Sequence, residues 1–219
     1  MHLRARFSII FVAMAALAFA SAVKADPIYT SSTAFSSATY GVSSVGFSSP
    51  GYGAYTGAGP SYTVGAVNFS SSSNLNLDDA AYYTVHGGAP ANPSNYLIVF
   101  GNTPTDTVTI TFPSSTAFSI DLGGTFNTGE AITVTLSDGF TYSYNASGYV
   151  TSGSGLDFLG FTSTTPLTWA TITFADTPDY GTISGVEYCS ATPEPGSLLL
   201  LGSGMLGLGL LVYRKKLFI

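Results

Sequence analysis

The chain has 219 residues, of which only 8% are charged, against about 25% in ordinary soluble domains. Its six cations are Arg4, Arg6, Lys24, Arg214, Lys215 and Lys216, whereas all twelve acids lie between Asp26 and Glu194. An anionic middle without one Lys or Arg excludes a nucleic-acid partner, and one Cys with two His excludes both a disulfide framework and a Cys/His zinc site.

The first element is a secretory signal. Arg4 and Arg6 form a basic start, and Phe7 to Ala20 form an apolar stretch of the length expected for export. Val23-Lys24-Ala25 predicts cleavage between Ala25 and Asp26, with Ala20-Ser21-Ala22 as an alternative. The signal peptide is therefore assigned to residues 1–25.

Residues 26–62 are rich in Ser, Gly, Ala and Tyr, with poor hydrophobic periodicity. They are expected to form an irregular arm or loosely packed edge, with one strand near 33–42.

From residue 63 the apolar period becomes two. Val108, Ile110 and Phe112 share a face, as do Phe118, Ile120 and Leu122, and then Ile132, Val134 and Leu136. The intervening Thr residues are β-formers that face water. Tyr96 to Phe100 is a continuous apolar run, which predicts a central strand. Nothing between 26 and 190 has a helical period. The expectation is an all-β domain over 63–190, an antiparallel β-sandwich of eight to ten strands.

One hairpin can be read to its register. A two-residue turn at Asp138-Gly139 would pair Leu136 with Thr141 and scatter the apolar side chains over both faces. A three-residue loop, Ser137-Asp138-Gly139 with Gly139 left-handed, pairs Leu136 with Phe140, Val134 with Tyr142 and Ile132 with Tyr144. That loop keeps one face apolar and is the one expected.

Sites of chemistry are sparse. His86 is the sole His beyond the signal segment and opens a Gly/Pro-rich loop; no Gly-x-Ser-x-Gly elbow is present, and no acid pair stands out. No enzymatic activity, cofactor or metal is expected. Asn74-Leu75-Asn76-Leu77-Asp78-Asp79 spaces oxygens as calcium loops do, yet lacks Gly at the sixth position and Glu at the twelfth. It reads better as a strand with Leu75 and Leu77 inward. Asp78 and Asp79 remain candidate ligand-binding residues. So does Trp169, which is out of phase with Ile172 and Phe174 and so is placed on the opposite, wet face.

The C-terminal region has three parts. Pro193-Glu194-Pro195 is followed by an apolar run from Ser197 to Tyr213 and by Arg214-Lys215-Lys216. Two prolines disfavour helix and hold the motif extended, with one charge to be recognised. Residues 197–213 are long enough for a transmembrane helix in a thin bilayer, and the basic cluster stops transfer with the tail end in the cytoplasm. Gly202-Ser203-Gly204-Met205-Leu206-Gly207 matches a dinucleotide fingerprint by accident, with neither a strand before it nor an acidic ribose reader after it.

The three parts, over residues 191–219, resemble the PEP-CTERM sorting signal of Gram-negative surface proteins. The resemblance implies that a membrane-embedded exosortase recognises Pro193, Glu194 and Pro195 and removes the helix. It further implies a membrane-inserted precursor, a mature domain at the cell surface or outside it, and an association with exopolysaccharide. The stretch from Phe158 to Leu167, with Ile172 and Phe174, is similar to a recurrent element of such ectodomains, which implies a lectin-like jelly roll. On this reading the protein is a structural or adhesive matrix component, or else a carbohydrate- or Ca2+-binding surface module.

Overall fold

The computed structural model describes residues 27–51, 54–81, 95–100, 105–124, 130–146, 156–175, 181–191 and 204–205. The signal segment, His86, the Pro193-Glu194-Pro195 motif and the Arg214-Lys215-Lys216 cluster lie outside them. Of the span expected at 197–213, only Gly204 and Met205 are described, and both are helical. Among the described residues no helix is long and apolar enough to cross a membrane.

The chain forms the strands β1 (Ile28–Tyr29), β2 (Thr39–Val45), β3 (Tyr55–Val64), β4 (Val67–Asp78) and β5 (Tyr96–Phe100). They continue as β6 (Asp106–Gly124), β7 (Glu130–Leu136), β8 (Thr141–Ala146), β9 (Asp157–Phe174) and β10 (Gly181–Ala191). One short helix, α1 (Ser32–Ser37), lies between β1 and β2. The all-β class holds. The two separate layers of a sandwich do not appear in the pairing, because all ten strands belong to one sheet.

The sheet is continuous because a few strands change partners along their length. β4 pairs with β6 through residues 68–71 and with β5 through 74–78. β10 pairs with β5 at Gly181–Ile183 and with β6 over nearly its whole length. The ring β10–β5–β4–β6 therefore closes, giving a barrel-like core of four strands. The Tyr96–Phe100 run lies inside this ring, as a central strand should.

β6 and β9 run antiparallel from Asp106 opposite Phe174 to Leu122 opposite Asp157. Pro113 and Pro166 sit where this pairing is interrupted, since proline brings no N–H to a ladder. From Thr111 to Ser115, four steps on β6 oppose two on β9, an even excess that leaves the inward face of β6 unchanged. From Thr162 to Leu167, five steps on β9 oppose two on β6. That odd excess flips β9: Leu159 and Phe161 point inward before the bulge, and Ala170, Ile172 and Phe174 after it. Val108, Ile110, Phe118, Ile120, Ile132 and Val134 belong to the same main core.

The hairpin of β7 and β8 has the expected register. Ile132 faces Tyr144 and Val134 faces Tyr142. Leu136 N donates to Phe140 O at 2.9 Å, and Gly139 has a positive φ of 92°.

The N-terminal stretch differs from expectation. Where a strand was expected from 33, residues 32–37 form α1, and β2 begins only at Thr39. β2 and β3 both join the sheet, through β10 and β4. Six residues of Ser, Thr, Ala and Phe cannot sustain a helix alone; Phe35 holds it down. Phe35 is fully buried against Ala117 and Cys189 and packs edge-on to Tyr29 and Phe158, at 5.8 and 5.7 Å between ring centres. Cys189 is a free, buried thiol in this second core, where burial pushes it up. The ring of Phe35 lies over Gly160, where an added Cβ would meet Phe35 Cδ2 at 2.5 Å.

Gly160→Ala is therefore expected to destabilise the fold by about 1–3 kcal/mol. Phe35→Leu in the same chain should recover part of that loss, because it removes the rigid ring from the clash. Urea denaturation of the two variants checks this; equal midpoints for wild type and Gly160→Ala would refute it.

Candidate functional site

Asp78 ends β4, and Asp79 follows it at the start of the turn. Leu75 and Leu77 are buried in the main core, so the strand reading holds through Asp78, although Asp78 itself is buried where an outward polar residue was expected. Same-face side chains on a strand are about 6.8 Å apart. Asn74, Asn76 and Asp78 thus cannot converge on one cation at the 2.3–2.6 Å that Ca2+ requires. Among the described residues no group of three or more His, Cys, Asp or Glu could hold a metal ion.

The two acids do different work. Asp79 braces the adjoining loops: Ser49 Oγ donates to Asp79 Oδ2 at 2.7 Å and Ala81 N donates to Oδ1 at 3.0 Å. Asn95 joins the same corner, accepting from Ala80 N and donating to Phe47 O. Asp78 occupies an outward phase of β4 yet is only 2% exposed, opposite Tyr96 in the register. Its Oδ1 has no hydrogen-bond partner. Desolvation pushes its pKa from 3.8 up to about 7.

Trp169 lies where its phase placed it, on the outer face at 36% exposure, opposite Thr111. That face is a field of hydroxyls. Thr141, Thr135, Thr171, Thr109, Ser70 and Ser61 form one row across six strands. Ser143, Thr133, Thr173 and Thr107 form the next row. On the other side, Trp169, Thr111, Asn68 and Thr63 form a third. Neighbouring hydroxyls bond to each other: Thr109 to Thr171 at 3.0 Å, Thr133 to Ser143 at 2.8 Å and Thr107 to Ser72 at 3.1 Å. The sequence shows each short Thr alternation, but only the cross-strand register aligns them.

The structure also brings together two acids that sequence reasoning did not single out. Asp121 on β6 and Glu187 on β10 share the outer face of the other half of the sheet. Burial, then the charge of Glu187, pushes Asp121 up, while a hydrogen bond from the Gly185 backbone lowers it. Ser119 Oγ donates to Glu187 Oε2 at 3.1 Å. A side chain at Gly185 would come within 2.8 Å of Asp121 Oδ2, so glycine at this bulge makes room for the carboxylate. Both acids are thus held by their own sheet.

The raised pKa of Asp78 has a definite sign. The folded chain keeps the acid neutral where the unfolded chain ionises it. Its contribution is fully present below about pH 4 and is lost as pH rises toward 7. Asp78→Asn is expected to flatten this slope and to raise stability at pH 8 by up to about 4 kcal/mol. Melting curves from pH 4 to pH 8 check this, and parallel profiles for the two proteins would overturn it.

Among solved structures, the chain is similar to a family two carbohydrate esterase from Cellvibrio japonicus, at 9% identity and a TM-score of 0.33, over 59% of this chain and 36% of that one. It is similar to the catalytic unit of a thermostable GH87 alpha-1,3-glucanase from Streptomyces thermodiastaticus at 11% and 0.35, over 72% and 28%. It is also similar to the enzymatically active domain of tailspike protein 4 of bacteriophage CBA120 at 12% and 0.32, over 62% and 19%. The chain spans about a third or less of those structures, and such scores carry neither fold nor activity across. Among curated proteins there is no match. The family model of the PEP-CTERM protein-sorting motif matches residues 191–216, which hold Pro193, Glu194, Pro195, the apolar run and the basic cluster. The chain carries a PEP-CTERM protein-sorting motif at its C-terminal end.

Proposed function

We propose that this is a substrate of exosortase, exported and sorted to the cell surface, whose β-domain has a structural or adhesive role in an exopolysaccharide matrix. The observation that carries this reading is the sorting motif over residues 191–216. The sequence ahead of the motif is consistent with it. A leader-like segment precedes a middle without Lys or Arg, and a chain of this composition is kept soluble by hydroxyls and carboxylates. In the proposed sequence of events, residues 197–213 hold the precursor in the membrane with Arg214, Lys215 and Lys216 on the cytoplasmic side. Exosortase then reads Pro193, Glu194 and Pro195 and cuts nearby.

The role is non-catalytic in this reading. Glu187 and Asp79 accept hydrogen bonds from neighbouring serines, and Asp78 lies buried beneath the surface. Such acids support the sheet.

Cells with and without exosortase activity should differ in the intact mass and location of the protein. With the enzyme, the chain should lose the residues beyond the motif and appear in the surface or matrix fraction. Without it, the precursor should stay in the membrane. Glu194→Ala should reduce processing in the active cells. A chain that keeps Leu198 to Ile219 in both cells would sink the sorting reading and leave those residues as a permanent anchor.

A further inference from the structure

The hydroxyl face has a composition that its β-propensity alone does not demand. About one-quarter of the residues of ordinary domains are charged, yet the three rows across β3, β4, β6, β7, β8 and β9 contain only Thr, Ser, Asn and Trp. Resting on the function proposed above, we infer that this face, centred on Thr109 and Thr171 with Trp169 at its margin, is a docking surface for a neutral polysaccharide chain.

The hydroxyl chemistry and the charge balance argue for that occupant. Strand spacing sets the hydroxyls about 4.8 Å apart across the sheet and about 6.8 Å apart along it. A hydroxyl has one donor and two acceptor sites, so the Thr109–Thr171 bond leaves both residues with capacity toward a ligand. Sugar hydroxyls have the same dual character and need no counter-charge. The side chains are short and β-branched, so little rotamer freedom is lost when a chain lies on them. Trp169 offers an apolar ring beside this polar grid, the combination that sugar faces require. Charge selects among polysaccharides: the protein has a formal charge of −6 and no Lys or Arg from Asp26 to Tyr213. An anionic polymer is repelled and a neutral one is not. Each contact is weak, and a polymer gains affinity by repeating them along the face.

The test uses the full-length chain in a detergent without sugar groups, with cellulose and curdlan as neutral probes and alginate beads as the anionic one. The expected result is retention on at least one neutral glucan and none on alginate. The pair Thr109→Val/Thr171→Val keeps side-chain shape and β-propensity while removing both hydroxyls. It should weaken retention about tenfold, as should Trp169→Ala, with melting temperatures showing that both variants fold. Neutral-glucan binding that survives in both variants would overturn this surface while leaving the matrix role standing. Retention on alginate alone would also overturn it. Retention on no polysaccharide, by a chain that exosortase nevertheless sorts, would remove both this surface and the exopolysaccharide role.

Discussion

The antiparallel pairing of β6 with β9 is the constraint on which the rest of the structure depends. These are the two longest strands, at 19 and 18 residues, and every other part of the sheet is attached to them directly or through one neighbour. Their interruption at Pro113 and Pro166 allows one pair to serve two regions. On one side of it they carry β4 and β7; on the other, β10 and β1. The odd excess of residues on β9 matters most. It reverses which side chains face inward and so lets a single strand contribute Phe161 to the core before the bulge and Ile172 after it.

The same reversal divides the outer surface into two kinds. On the β7 side, the outer face carries the Thr rows and Trp169. On the β10 side, the outer face is covered in part by α1, and what lies beneath is small or apolar: Ala117, Gly160 and Cys189 around Phe35. The acids Asp121 and Glu187 fall on this second side. A protein without cations in its middle cannot neutralise carboxylates by ion pairs. It satisfies them with backbone N–H groups and serines instead, as at Asp79, Asp106, Asp138 and Glu187.

Burial of Asp78 is a place where this arrangement costs stability. Its carboxyl has an oxygen without a hydrogen bond and is kept neutral by desolvation. Its neighbour Asp79, one residue on, has both oxygens bonded and clamps the loop that holds Ser49. Adjacent acids in one sequence motif thus have opposite physical roles, because one ends the strand inside the sheet and the other begins the turn.

Much was legible from local pattern alone. The hairpin at Ser137-Asp138-Gly139 was, because one turn length keeps Ile132, Val134 and Leu136 opposite aromatic partners and the other scatters them. The inward Leu75 and Leu77 and the outward Trp169 were legible for the same reason: in a strand, phase is set by immediate neighbours. The sorting motif could be recognised because it is a linear string that another protein must read. The helix at Ser32–Ser37 was not legible, since nothing in Ser-Thr-Ala-Phe-Ser-Ser favours a helix until Phe35 finds Gly160, far along the chain. Nor were the closure of β10 on both β5 and β6, the burial of Asp78, or the alignment of Thr residues from six strands into rows. Each depends on which distant strands pair and in what register, which no short window contains. The amino-acid sequence by itself determined strand, phase, turn and address. The tertiary structure decided how the strands join into one continuous sheet, and the surface that sheet presents, because hydrogen bonding between distant strands sets both.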